Sequence, residues 1–338
     1  MRFVLSFLLL ALGCGLATAQ IESDQPIPPV MHFADGSKGK PFSKDPAVVQ
    51  FKGSYYMYYS LPPYPDGREP KGWSIGIAKS PDLSSWEKAG DLFGQPGGCE
   101  QNGICAPGAI VLHNQVHLFY QTYGNGKNDA ICHAVSSDGI HFERNPTNPV
   151  FAPTGDWNAG RAIDADVIVW QNQVFLYTAT RDPAMKKQML VVASSPLDSG
   201  YGRDTWTQRC DASILQPELP WEKNCIEAPA LGIHKGKLYM FYAGAYNNEP
   251  QQIGCAVSED GLTWTRLSPD PILPNGQPGE WNACESGHPF LFTDNDGQMI
   301  LFFQGNNDKG KTWYLSQYQV QWDGDVPRLS PFIPIPSK

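Results

Sequence analysis

The chain has 338 residues, 41% of them hydrophobic and 12% aromatic, too apolar a composition for a disordered polypeptide. Its 33 glycines and 30 prolines call for many tight turns. The formal charge of −9 argues against nucleic acid or an anionic membrane as partner and suits contact with neutral or weakly charged small molecules.

The N-terminus carries Arg2, an apolar run over residues 3–12 and Ala17-Thr18-Ala19 before Gln20. That order matches a secretory signal with its cleavage site, so residues 1–19 are expected to be removed and residues 20–338 exported to the periplasm or beyond. The run is too short for a membrane span. Gly13-Cys14 also allows a lipoprotein anchor at Cys14, although Ala11 stands where leucine is usual.

From Asp45 onward one pattern recurs five times. Its copies begin at Asp45, Ala106, Asp164, Ala228 and His288, at steps of 61, 58, 64 and 60 residues. Such a period marks repeated copies of one supersecondary unit. Each copy opens with an apolar run closed by a turn signal, such as Lys52-Gly53, His113-Asn114, Lys235-Gly236 or Asp296-Gly297. An aromatic-rich run follows at 55–59, 116–120, 174–177, 238–242 or 299–303, which reads as the second strand of a hairpin. A third run comes at 75–80, 131–136 and 253–258. An aromatic then follows eight residues after Ala78, Ala134 and Ala256, at Trp86, Phe142 and Trp264. A fourth strand is expected to end there. The third and fifth copies are looser at this point. Four-stranded units arranged radially make a β-propeller, so the chain is expected to be all-β, a single five-bladed β-propeller spanning the mature sequence. No long 3.6-residue apolar stripe argues for helices.

In a propeller the first strand of each blade faces the central channel, so one register brings together Asp45, Ala106, Asp164, Ala228 and His288, with Glu227 one place earlier. Buried carboxylates are costly unless paired or functional. Two carboxylates across a gap can cleave a glycosidic bond, one as acid and one as base, and a third can tune the acid. Asp45, Glu227 and Asp164 supply that set. Asp166, two residues past Asp164, falls on the same strand face and is an alternative tuning or substrate-binding group.

Asp45-Pro46, Ala106-Pro107, Ile163-Asp164, Glu227-Ala228-Pro229 and Gly287-His288 together resemble the five-bladed glycoside hydrolases of family 43 and their relatives. The resemblance covers the whole propeller. It implies Asp45 as general base, Glu227 as general acid, Asp164 as the group that tunes and orients the acid, and an inverting reaction. It also implies that His288 helps to hold a water or a divalent ion, calcium or zinc, in the channel; no cofactor is required. Longer segments, such as Cys105-Ala-Pro-Gly-Ala-Ile110, Gly160-Arg-Ala-Ile-Asp-Ala-Asp166 and Gly305-Asn-Asn-Asp-Lys-Gly-Lys311, are similar to family 117. Members of that family remove 3,6-anhydro-L-galactose from the non-reducing ends of agar oligosaccharides. The chain departs from that family in lacking its helical N-terminal dimerisation segment, which favours a monomer, and in having Ile226 where a histidine would stand beside the blade-four glutamate.

Trp157, Trp221 and Trp281 each lie seven residues before the register position, where they can stack on sugar or pack the blades. Trp73 and Trp313 are further stacking candidates. Arg161 can clamp a substrate oxygen or pair with Asp156. Asp294-Asn-Asp-Gly297 lacks the later glutamate of a calcium loop and reads as a hairpin turn. The seven cysteines beyond the signal read as buried apolar residues, with Cys99–Cys105 and Cys210–Cys225 the first pairs to test as disulfides. The expected function is exo-acting hydrolysis that trims a terminal sugar from plant or algal oligosaccharides, with the insertions at 61–71 and 181–187 shaping the rim. A glycoside phosphorylase using Arg161, Arg181 and His288 for phosphate, and a non-catalytic glycan-binding propeller, are the alternatives.

Overall fold

A computed structural model describes residues 32–332. The signal segment and Cys14 lie outside the described residues. No helix among the described residues is long and apolar enough to cross a membrane.

Twenty strands form five four-stranded antiparallel sheets. Each sheet is a meander in chain order: β1–β4, β5–β8, β9–β12, β13–β16 and β17–β20. The inner strands are β1 (Lys44–Phe51), β5 (Ile104–Leu112), β9 (Ile163–Trp170), β13 (Ile226–His234) and β17 (Glu285–Thr293). They neighbour one another cyclically, β17 returning to β1, so five blades close around one channel. Inner and second strands join through two-residue turns in which both central residues take positive φ. These are Lys52 and Gly53, His113 and Asn114, Gln171 and Asn172, and Lys235 and Gly236. The twist of such a turn matches that of the strands it connects. Asp294-Asn-Asp-Gly297 is a hairpin turn as expected, with the Asp294 carboxylate accepting the N–H groups of Asp296 and Gln298.

The turn before each aromatic is held by an aspartate that accepts backbone N–H groups two and three residues on, at Asp82, Asp138 and Asp260. Trp86, Phe142, Trp206 and Trp264 then immediately precede the outer strands β4 (Glu87–Phe93), β8 (Glu143–Arg144), β12 (Thr207–Gln208) and β16 (Thr265–Arg266). The aromatic therefore starts the fourth strand rather than ending it. In blade five Trp322 lies inside β19 (Tyr314–Asp323), and β20 (Val326–Pro331) is the outer strand.

The hydrophobic core is divided into clusters that lie between adjacent blades. Connecting segments bridge to the third strand of the blade they leave: Phe151 to Ile131, Leu215 to Leu190 and Leu273 to Ile253. In blade five that bridge is made by Phe33, from the beginning of the described chain, to Leu315. A few residues later Phe42 bridges to Trp313, and Asp35 takes hydrogen bonds from Tyr59 and Lys88 of blade one. Residues 33–42 thus fasten blade five to blade one.

Candidate active site

All five inner strands break register at the same place, leaving a bulge at the repeated position. Asp45, Ala106, Asp164, Ala228 and His288 have φ of 53°, 45°, 53°, 50° and 42°. Non-glycine residues rarely occupy this left-handed region. In a regular strand, consecutive side chains point to opposite faces. Here the bulge turns two consecutive residues to one face, so Lys44 with Asp45, Cys105 with Ala106, and Ile163 with Asp164 line the same recess. The freed N–H groups of four register residues are taken by side chains of the preceding blade: Asp45 by Gln304 (2.9 Å), Ala106 by Ser60 (2.7 Å), Asp164 by Gln121 (2.9 Å) and His288 by Gln251 (3.0 Å).

The recess has a volume of about 230 Å³ and brings together Asp45, Asp164, Glu227, His288, Arg161 and Trp73. The three carboxylates and the histidine are all buried. His288 Nδ1 lies 3.1 Å from Asp45 Oδ1, and Lys44 Nζ lies 3.7 Å from the same oxygen. Burial by itself would raise the Asp45 pKa, but Lys44, His288 and the Ser60 hydroxyl hold it below its ordinary value. Burial lowers the His288 pKa, so the ring is neutral near pH 7 and Lys44 supplies the opposing charge.

Asp164 behaves in the opposite way. Burial, then repulsion from Glu227 and Asp45, push its pKa well above the usual carboxylate range, and Arg161 and Lys44 offset this only in part. A proton is therefore retained beside Glu227. The Glu227 carboxyl receives three amide donors: Gln188 Nε2 at Oε2, and Gln251 Nε2 (2.6 Å) and Asn247 Nδ2 (3.3 Å) at Oε1. A second contact orients each amide. Gln188 Oε1 accepts from Arg181 Nε at 2.9 Å, Gln251 Oε1 from the His288 N–H, and Asn247 Oδ1 from Lys44 Nζ at 2.6 Å.

The sequence reading missed Lys44, Gln188, Asn247 and Gln251. Adjacency to Asp45 was the available signal for Lys44. Gln188 and Gln251 hold equivalent places where the third strands of blades three and four begin, each bridging to the start of the next inner strand, a repeat that the reading did not use; Asn247 lies in a connecting loop and gave no signal.

Three expected substrate contacts stand elsewhere. Asp166 lines a larger recess of about 380 Å³ at the opposite mouth of the channel, where its oxygens accept the N–H groups of Leu231 (2.7 Å) and Val167 (2.9 Å). Trp281 lies over Gly305 and packs on Phe303, and Trp157 packs into the core between blades two and three. Trp221 likewise stacks on Tyr242. Trp73 does line the recess, with Tyr123 at 5.4 Å between ring centroids. Arg161 pairs with Asp129 (3.5 Å) rather than Asp156.

The seven cysteines among the described residues are free thiols. The close pair is Cys99 and Cys132, 3.7 Å apart, rather than Cys99 with Cys105, which lines the recess. Among the described residues, no three His, Cys, Asp or Glu side chains converge to hold an ion, and the Nδ1 of His288 is engaged by Asp45. The donor set does not fit a divalent ion held by protein ligands alone.

Residues 39–325 match the family described as Glycosyl hydrolases family 43. A sucrose-6-phosphate hydrolase of Escherichia coli is 24% identical over 277 residues, covering 75% of this chain and 52% of that protein. One from Zymomonas mobilis is 34% identical over 111 residues, 29% of this chain and 20% of that one. The chain thus spans about half or less of the curated relatives it matches. A thermostable family-43 glycoside hydrolase superposes with a TM-score of 0.68 at 20% identity, covering 88% of this chain and 95% of that one. An α-L-arabinofuranosidase from Lactobacillus brevis gives 0.68 at 16% identity, covering 93% and 98%. These solved structures share the fold. With the family match running from the segment before the first inner strand into the last blade, this propeller belongs to glycosyl hydrolase family 43.

Proposed function

We propose that this chain is a glycoside hydrolase that releases a terminal sugar from plant or algal oligosaccharides, agar-type chains among them, by a single inverting displacement. The observation that carries the reading is the opposite tuning of carboxyls in one buried recess: Asp45 is held ionised while Asp164 keeps a proton beside Glu227. Asp45 takes a proton from water as that water attacks the anomeric carbon. Glu227, taking up the proton that Asp164 keeps, gives it to the departing glycosidic oxygen as the bond breaks, which leaves Asp45 protonated and the Asp164–Glu227 pair one proton short. Neutral His288, donating through Nδ1 to Asp45, orients the base, and the three amides fix Glu227. Proton loss from Asp45 to solvent and uptake by that pair complete the cycle.

A recess of about 230 Å³ is smaller than the roughly 300–1,000 Å³ of drug-sized sites and suits one sugar ring at a chain end. Trp73 and Tyr123 offer that ring an apolar wall.

The test is product analysis on agar-, carrageenan-, arabinan- and xylan-derived oligosaccharides, with Glu227→Gln as control and NMR to identify the first anomer formed. A monosaccharide of inverted configuration, released by wild type alone, is expected. Mixed internal fragments would overturn the exo reading, and a retained anomer the single displacement.

A further inference from the structure

The recess holds one cation, Arg181, that no carboxylate among the described residues pairs. We propose that the sugar it accepts carries an anionic substituent, a carboxylate or a sulfate ester, received by Arg181 and Arg161; this rests on the hydrolase reading and adds the substrate class. The chain is acidic overall, yet Lys44, Arg161 and Arg181 all line this recess. Asp45 stands opposite Lys44, whereas Arg181 forms no ion pair with any carboxylate among the described residues.

Arg181 ends β10 (Gln173–Arg181). Its Nε donates to Gln188 (2.9 Å), one Nη donates to the Met185 carbonyl (3.2 Å), and its guanidinium carbon lies 5.2 Å from the Tyr246 ring centre. These contacts hold the group in place and leave the remaining N–H groups without a carboxylate. Arg161 meets only the Asp129 carboxylate, through one contact of 3.5 Å, and its side chain is 13% exposed. Burial pushes the Asp129 pKa upward, and Arg161 offsets this only in part.

Both arginines belong to blade three, so one wall of the recess presents two forked donors. Forked guanidinium groups suit the paired oxygens of a carboxylate or sulfate better than a neutral hydroxyl. Net charge favours a neutral ligand, but the local arrangement favours an anion. Because Arg181 also orients the amide that meets Glu227, an anion bound there would firm up the acid as well as the sugar.

The test compares neutral oligosaccharides with uronate-terminated and sulfated counterparts on wild type, Arg181→Met, Arg181→Lys and Arg161→Met, with folding checked by circular dichroism. Wild type is expected to favour one charged series in kcat/KM by about tenfold, the worth of a charge-assisted hydrogen bond. Which series is favoured identifies the substituent. Both methionine variants should shrink that ratio, chiefly through KM for Arg161→Met and through KM and kcat together for Arg181→Met. Arg181→Lys should keep part of it.

Equal or better turnover of the neutral series, with ratios untouched by the substitutions, would leave the arginines as scaffolding for Gln188 and Asp129 and overturn the proposal. Release of a sugar 1-phosphate on adding inorganic phosphate would overturn it too, by making the anion a co-substrate. If no series is turned over, the hydrolase reading fails, and calorimetry on the Asp45→Asn protein decides the remainder. Binding of galacturonate or galactose 6-sulfate without binding of galactose would uphold the anion site, and equal binding would sink it.

Discussion

The base and acid roles proposed for Asp45 and Glu227 rest on their different neighbours, and that separation can be measured. Losing a positioned acid or base costs roughly 10²–10⁴-fold in rate. Asp45→Asn is expected to lose that much on every substrate. Glu227→Gln is expected to lose it on natural glycosides but to keep most activity on aryl glycosides, whose leaving groups need no proton; equal losses on both would remove Glu227 from the acid role. For pH dependence, the base must be ionised and the site must keep a proton. Activity should therefore fall on the acid side below the lowered Asp45 value and on the alkaline side above the raised Asp164 value. Asp164→Asn removes the carboxyl that holds this proton, so the alkaline limb should move to lower pH while the acid limb stays. An unmoved alkaline limb in the kcat/KM profile would show that Asp164 does not hold the proton in place.

The inner-strand bulge turns a repeat into a site, and in blade five it depends on a glycine. A Cβ on Gly287 would meet Gln251 Oε1 at 1.9 Å, and Gln251 is the amide that links the His288 N–H to Glu227. Gly287→Ala is expected to cut kcat by at least about tenfold through displacement of that amide, with the melting temperature falling by only a few degrees; unchanged kcat would mean the amide is dispensable. The same element shows how far the sequence could be read. The period located all five inner strands and their register, and with them Asp45, Asp164 and His288. It also placed Glu227, although strict alternation would have turned Glu227 away from its neighbour's face. The left-handed residue that reverses this leaves no mark, because aspartate, alanine and histidine occupy it indifferently. Alternation likewise suggested a shared face for Asp164 and Asp166, which the bulge between them sends to opposite mouths of the channel. The tryptophans seven residues upstream were visible as a repeat, and three-dimensional packing makes Trp157, Trp221 and Trp281 parts of the blades.

Several acids are buried in the assembled ring, and their protonation links stability to pH. Asp166 and Glu285 each have a pKa raised from the ordinary 3.8 and 4.5 to about 7, chiefly by burial. The folded state thus binds more protons than the unfolded chain between those values. Stability conferred by protonated Asp166 and Glu285 is present below about pH 4 and is lost as pH rises toward 7, then levels off. Wild-type urea midpoints from pH 5 to 8 also carry the opposite slope of buried His117 and His133, lowered to about 4 and 3, so the readout is the difference between proteins: Asp166→Asn should gain in midpoint relative to wild type as pH rises toward 7. A difference that stays constant with pH would contradict the protonated burial of Asp166.

The fastening of blade five by residues 33–42 also has a kinetic consequence. Phe33 and Leu315 meet from almost opposite ends of the described chain, the kind of long-range contact whose closure entropy delays folding. Asp45 follows directly after that segment, and its N–H is held by Gln304 of the last blade. A nascent chain emerging from the ribosome can assemble its first blades, but Asp45, the proposed general base, is not in position until the final blade arrives. Catalytic activity therefore reports completion of the ring, and during refolding it should appear only after most of the strand structure has formed.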